Sequence, residues 1–190
     1  MDKATARAAY KLKRTNLSIP EVERMDQQLF QQLQAFDWSG ISYLHCYLSI
    51  AKFKEYDTMP FIEWIWENYP KIHIVISKSD FETHELKHYL MEKDAPLEHN
   101  PWGIPEPVNA PEIEVQQIDA VVAPLLVVDS AGNRIGYGKG FYDRFFAACR
   151  PDVGKLGISY FVPIDHIDGI QPWDIPISVV FTPEGTYELG

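Results

Sequence analysis

Only two cysteines occur in the 190 residues, too few for the disulfide framework of a small secreted domain. Cys46 and Cys149 are also too far apart in sequence for the paired spacing of a zinc site. Both stand in apolar strand- and helix-like settings and read as buried free thiols. No apolar run approaches the ~20 residues a membrane helix needs, and the opening Met1-Asp2-Lys3-Ala4 lacks the apolar core of a signal peptide. A cytoplasmic protein without membrane contact is expected. Positive charge is scarce as well: 17 Lys and Arg against 27 Asp and Glu give a net charge of −10. That argues against nucleic acid as a general partner, because such binding relies on a broad basic face to neutralise phosphates. Internal repeats and low-complexity tracts are absent, and with 46% hydrophobic residues the chain reads as one domain, 1–190, around one sizeable core.

The few cations are concentrated in two places. Lys3, Arg7, Lys11, Lys13 and Arg14 crowd the first segment; Arg134, Lys139 and Arg144 stand in the stretch from Ala131 to Arg144, which also holds four of the eleven glycines. Before that stretch, Ile118 to Val128 reads as a buried strand; after it, Phe141 to Cys149 has the spacing of a helix start. Glycines at a strand-to-helix junction let the backbone curl around an anion, aiming N–H groups and the positive end of the helix dipole at phosphate. The loop is neither of the best-known phosphate signatures. Lys139 is followed by Gly140 where a P-loop needs Ser or Thr, and Phe141 stands where the dinucleotide fingerprint needs its third glycine. Instead Gly136, Gly138 and Gly140 alternate with Tyr137 and Lys139, putting side chains on one side of the loop and bare backbone on the other. A glycine-rich turn is ordinarily only a turn. The embedded Arg134, Lys139, Asp143 and Arg144 argue for a bound polyphosphate, and the two cation clusters would make one pocket if they met in space.

Around this loop the pattern is that of an α/β fold. Lys3 to Arg14 has helical composition, and Ser18 with Glu21 forms a capping box opening a second amphipathic helix that runs to about Phe36. Ile41 to Leu48 and Ile72 to Ile76 read as strands, with Thr58 as the N-cap of a helix between them. Ser79 with Glu82 predicts another capping box and a helix ending near Lys93, followed by a proline-rich loop over 96–111. Lys155 to Phe161 and Ile177 to Phe181 supply later strands, and Pro183-Glu184-Gly185 predicts the turn of a small C-terminal hairpin. The alternation predicts a mostly parallel sheet with helices on both faces, a Rossmann-like three-layer arrangement. Ligands in such sheets gather beyond the carboxyl ends of the strands.

Thr83-His84-Glu85-Leu86-Lys87-His88 carries the zincin pattern H-E-x-x-H, so a zinc-dependent hydrolase is the alternative reading. On a helical wheel, however, Leu86, Tyr89 and Leu90 mark the buried face and leave His84 and His88 on a solvated one, without the dry cleft and third ligand that catalytic zinc requires. A nucleotide-binding module without catalysis is the third possibility.

Gly132 to Arg144 resembles the signature of the 5-formyltetrahydrofolate cyclo-ligase family, also called methenyltetrahydrofolate synthetases. That signature is close to G-x-R-L-G-x-G-x-G-Y-Y-D-R, here with Ile135 for Leu and Phe141 for the first Tyr. The resemblance extends to Lys3 and Arg7, to Glu55-Tyr56-Asp57-Thr58, to Asn100 through Pro107, and to Trp173-Asp174-Ile175-Pro176. It implies ATP-dependent closure of 5-formyltetrahydrofolate, polyglutamylated or not, to 5,10-methenyltetrahydrofolate with release of ADP and phosphate, by a monomer that needs Mg2+. The formyl oxygen attacks the γ-phosphate, and N10 then closes the ring. No enzyme nucleophile is required, which agrees with the lack of a Ser-His or Cys-His pair. By the same resemblance ATP is bound by Lys3, Arg7, Arg134, Ile135, Gly136, Tyr137, Gly138, Lys139, Gly140, Phe141 and Tyr142, with Lys139 and Arg134 catalytic. Folate is bound by Glu55, Trp102, Tyr137, Gly138, Lys139, Gly140 and Phe141; magnesium falls to Asp143 and Asp174. Each has an ordinary alternative: Glu55 a solvated loop charge, Trp102 a surface plug, the two aspartates plain loop or helix-start carboxylates. Ser49 to Glu55 is about two residues longer than the family form, which makes Asp57 a rival for the pterin contact.

Overall fold

The computed structural model describes residues 1–80, 82–100 and 103–190. Helices α1 (Lys3–Asn16) and α2 (Ile19–Ala35) open the chain. In the first, Asp2 Oδ1 accepts from the N–H groups of Ala4 and Thr5 at 2.9 and 3.0 Å. The second starts at the expected reciprocal capping box of Ser18 and Glu21. Then follow β1 (Tyr43–His45), α3 (Met59–Asn68), β2 (His73–Asp80), β3 (Glu85–Met91), β4 (Leu97–His99), β5 (Pro105–Pro107) and β6 (Glu112–Ile113). The second half holds β7 (Ala120–Pro124), β8 (Val127–Val128), β9 (Arg134–Ile135), α4 (Phe141–Ala148), β10 (Gly154–Ile158), β11 (Val179–Thr182) and β12 (Gly185–Glu188).

Eight strands form one sheet in the order β12-β11-β10-β7-β1-β2-β3-β6. The five inner strands from β11 to β2 are parallel, and antiparallel partners close both edges, β12 through the C-terminal hairpin expected from Pro183-Glu184-Gly185. Side chains alternate across the pleat, so the strands are apolar on both faces. Leu44, Cys46, Ile74, Ile76, Val122, Leu156, Ile158 and Phe181 pack with Leu29 and Leu33 of α2 and Phe61, Ile62 and Ile65 of α3. On the opposite face Val75, Val121, Ala123 and Val180 pack with Phe145 and Phe146 of α4. Helix α1 lies apart, its Ala6 and Tyr10 against Leu126, Val127 and Ile135 of the small β8-β9 hairpin.

The structure corrects four expectations. The helix predicted from Ser79 to Lys93 is the β2-β3 hairpin, in register from Ile74 with Met91 to Asp80 with Glu85. Its residues repeat with period 2, and the turn is capped by Asp80, whose Oδ1 accepts from the N–H groups of Glu82 and Thr83 at 2.8 and 3.1 Å. The strand predicted over Ile118 to Val128 breaks after Pro124, and Val127–Val128 pair with Arg134–Ile135 instead. Thr58 stands at the start of α3, but its hydroxyl donates to the Tyr47 carbonyl while Asp57 Oδ1 accepts from Met59 N–H at 3.1 Å. Both cysteines are free, with Cys46 buried and Cys149 only partly so.

Candidate functional site

The β8-β9 turn that leads into the glycine loop is held in place by a buried carboxylate. Asp129 accepts from the backbone N–H groups of Ala131, Asn133 and Ile167 at 3.1, 2.9 and 3.0 Å, fixing the turn that delivers Arg134. Beyond Ile135 the backbone takes left-handed conformations at Gly138 (φ 81°) and Gly140 (φ 72°), which side-chain-bearing residues rarely adopt. Space is missing there too. A β-carbon would fall 3.0 Å from Arg7 Cζ at Gly138 and 2.7 Å from Arg144 Nη1 at Gly140. The guanidinium of Arg7 therefore lies directly on bare backbone, and its Nε donates to the Gly136 carbonyl at 2.9 Å.

The two cation clusters do meet. Lys3, Arg7, Lys11 and Arg14 follow at intervals of four, four and three, one stripe of a helix surface. Lys3 pairs with Asp174, Arg7 binds Gly136, and Arg14 donates to the Tyr137 hydroxyl. Spread over eleven residues, the stripe is about 16 Å long at 1.5 Å per residue. One face of α1 thus runs along the glycine loop from end to end.

At the Lys3 end stand Arg134, Asp143 and Asp174. Arg134 is nearly buried, with 8% of its side chain exposed; it donates to Asp143 Oδ1 at 2.8 Å and to the Ile175 carbonyl, and its guanidinium lies 4.8 Å from the Phe146 ring centre. Burial lowers its pKa from the ordinary value, opposed by Asp143. Ile175 N–H donates to the same Asp143 oxygen at 3.2 Å. Asp174 Oδ2 accepts from Lys3 and from Gln171 N–H, which hold its carboxyl below the usual value although burial alone would raise it. Both bonds to each aspartate thus fall on one oxygen, and the other takes no hydrogen bond from a described residue. Two part-occupied carboxylates next to a phosphate-type loop suit Mg2+, which is normally bound by one or two carboxylates completed by phosphate and water oxygens. Among the described residues no cluster of three or more His, Cys, Asp or Glu is arranged to hold a metal by itself.

At the Arg14 end is Glu55, 8% exposed, so the reading as a solvated loop charge does not hold. Its carboxylate accepts from Ile50 N–H at 2.7 Å and from the Tyr137 hydroxyl at 2.6 Å. Burial raises its pKa, only partly countered by those two bonds. The Tyr137 ring packs 5.1 Å from that of Phe53. Asp57, the rival carboxylate, is exposed and caps α3.

These groups line one cleft of about 1070 Å³ at the carboxyl ends of the strands. Lys3, Arg7, Glu55, Asp174 and the whole run Arg134 to Asp143 border it, and Lys139 reaches it as an exposed cation. Trp102 lies outside the described residues. Sequence reasoning missed the floor. His45 and Ser77 line it, and Ser77 Oγ bridges His45 Nε2 and His88 Nδ1 at 2.9 Å each, so the Ser-His pair that the sequence was expected to lack is present in the cleft. His88, expected on a solvated helix face, is 6% exposed and stacks 4.2 Å from Phe145. His84 stands in the turn before β3 with a left-handed backbone (φ 59°) and packs against Phe141, whereas His88 lies within the strand, bonded to Ser77 and stacked on Phe145, so the one-turn helical spacing that would aim both at one zinc ion does not exist. The zinc-hydrolase alternative falls with the helix it required.

The chain is similar along most of its length to known proteins. The profile of the 5-formyltetrahydrofolate cyclo-ligase family matches residues 1–183. The 5-formyltetrahydrofolate cyclo-ligase of Mycoplasma pneumoniae is 27% identical over 188 residues, 97% of this chain and 100% of that protein. The enzyme of the same name from Escherichia coli K12 is 26% identical over 137 residues, covering 70% and 75% of the two chains. Among solved structures, Aquifex aeolicus 5,10-methenyltetrahydrofolate synthetase superposes with a TM-score of 0.81 at 26% identity, covering 100% of this chain and 93% of that one. No helix among the described residues is long and apolar enough to cross a membrane.

Proposed function

Because the chain belongs to the 5-formyltetrahydrofolate cyclo-ligase family, we propose that it converts 5-formyltetrahydrofolate and ATP to 5,10-methenyltetrahydrofolate, ADP and phosphate in this cleft. The observation that carries the reading is the convergence of both cation clusters and the glycine loop on one cleft with a buried carboxylate at its end. In the proposed first step the formyl oxygen forms a bond to the γ-phosphorus as the bond to the ADP oxygen breaks. N10 then attacks the activated carbon and gives up its proton, and phosphate departs with the former formyl oxygen. Every step moves charge on small molecules, so the protein's contribution is alignment and electrostatic preorganisation.

Its residues divide that work by position. Gly136 to Gly140, Arg7 and Lys3 cradle the phosphates, and Lys139 and Arg134 face the charge that develops on the transferred group. Glu55 suits a pterin ring, whose adjacent N–H donors match one carboxylate. Phe141 and Tyr137 border both ligands. Asp143 and Asp174 would hold Mg2+, which when bound supplies charge neutralisation to the phosphates.

The test is growth of methenyltetrahydrofolate absorbance when the protein is mixed with 5-formyltetrahydrofolate and Mg-ATP. No product, under conditions where the chain is folded and binds ADP, would leave only the non-catalytic nucleotide-binding module. Lys139→Ala should lower kcat by about a hundredfold or more, the usual loss on removing one such donor, with an unchanged melting temperature because the side chain is exposed.

A further inference from the structure

We propose that Trp173 is the platform on which the purine base of ATP stacks, an assignment that rests on the nucleotide reading of the cleft. The indole is 68% exposed, one of the few large apolar side chains the fold leaves in water, and it borders the cleft. The turn that carries it is nevertheless held in place. Asp174 N–H donates to the Gln171 carbonyl at 3.0 Å, closing a four-residue turn with Pro172 and Trp173 at its two central positions. Proline suits the first of these because its φ is already set. Gln171 N–H donates back to the Asp174 carboxylate at 2.6 Å, and the same carboxylate is paired with Lys3. The turn is therefore fixed to the start of α1, so an aromatic face is presented at small entropic cost.

Direction follows from the cation stripe. Phosphoryl transfer joins the two ligands at the γ-phosphate, so folate and nucleoside must leave that point in opposite directions. Glu55 and Tyr137, at the Arg14 end of α1, mark the folate side. The nucleoside then extends toward the other end, past Arg7 and Arg134 to Lys3 and Asp174, and Trp173 is the aromatic residue standing next to that pair.

The experiment titrates full-length wild type, Trp173→Ala and Trp173→Phe by calorimetry, in Mg2+, with ADP and separately with inorganic tripolyphosphate, which carries the charge without a base. Trp173→Ala should weaken ADP roughly 5- to 150-fold, the range for one base on one aromatic ring. Tripolyphosphate should bind all three alike, and Trp173→Phe should recover most of the ADP affinity. Equal weakening of both ligands in Trp173→Ala would assign the residue to the phosphate seat or its turn and overturn the platform. Unchanged ADP affinity would overturn it as well. If wild type binds neither ligand, the nucleotide reading itself fails, which separates the two outcomes.

Discussion

Glu55 combines features that an ordinary loop glutamate lacks: near-complete burial, one backbone donor, one tyrosine hydroxyl, and a cleft beside it. Since burial raises its pKa, the folded chain holds the Glu55 proton more tightly than the unfolded chain. This group therefore favours folding at low pH and costs stability as the pH rises through the carboxylate range. Glu55→Gln removes that cost, so the melting temperature at neutral pH should stay level or rise. Folate binding should suffer all the same. The amide can answer Ile50 N–H and the Tyr137 hydroxyl, but its NH2 group replaces one acceptor oxygen and sets donor against donor toward one of the two pterin N–H groups. The expected result is a strongly raised KM for folate with the KM for ATP nearly unchanged. Asp57→Asn provides the contrast, since Asp57 caps α3: a loss of up to about 1 kcal/mol of stability and normal folate kinetics. Damage to folate binding in the aspartate variant alone would transfer the pterin contact to Asp57.

At the scale of elements, most of the fold was legible because local chemistry and global packing agree. The capping box of Ser18 and Glu21, the glycine junction before α4 and the C-terminal turn all stand where the sequence puts them. The β2-β3 hairpin was not legible because Ser79 and Glu82 imitate a capping box while Leu86, His88 and Leu90 alternate with Lys87 and Tyr89 in the period of a strand. Burial of His88 in that strand has a measurable consequence. Its pKa is lowered to about 4 by desolvation, and that of His45 is also lowered by burial, then by His88. The unfolded chain takes up these protons first, so stability is complete above about pH 6.5 and declines as the pH falls toward 4. For His88 alone the decline amounts to about 3 kcal/mol at most. Thermal melts from pH 7 to pH 5 should show a falling melting temperature in the wild type. His88→Phe, which keeps the stacking on Phe145 and removes the titrating group, should give a shallower slope. Equal slopes in the two proteins would mean that His88 is not the group responsible.

Over the whole molecule, the edge of the sheet that carries the cleft followed from the alternation of strands and helices, and the strand-to-helix loop that borders it from its glycines. The link between the two ends of the cleft did not follow. Arg14, Tyr137 and Glu55 are joined across separations of 123 and 82 residues, and no local pattern announces such a contact. Yet it binds the cleft into one unit: Arg7 holds the loop at Gly136, and Arg14 and Glu55 hold it one residue later at Tyr137. A ligand seated at either end would bear on the same few residues, and if it tightened them the second to arrive would give up less conformational entropy. Independent sites would give additive stabilisation, each following its own ligand concentration and affinity. Here 5-formyltetrahydrofolate should bind at least several-fold more tightly in saturating Mg-ADP than in its absence, within the ~1–3 kcal/mol usual for coupled sites, and ADP must gain by the same factor from folate. Tyr137→Phe keeps the ring beside Phe53 but removes the bonds to Arg14 and Glu55, and should cut that factor while leaving each ligand able to bind alone. Calorimetric titration of folate with and without ADP measures it in both proteins. Identical affinities in the wild type would show that the two ends act independently despite sharing a loop.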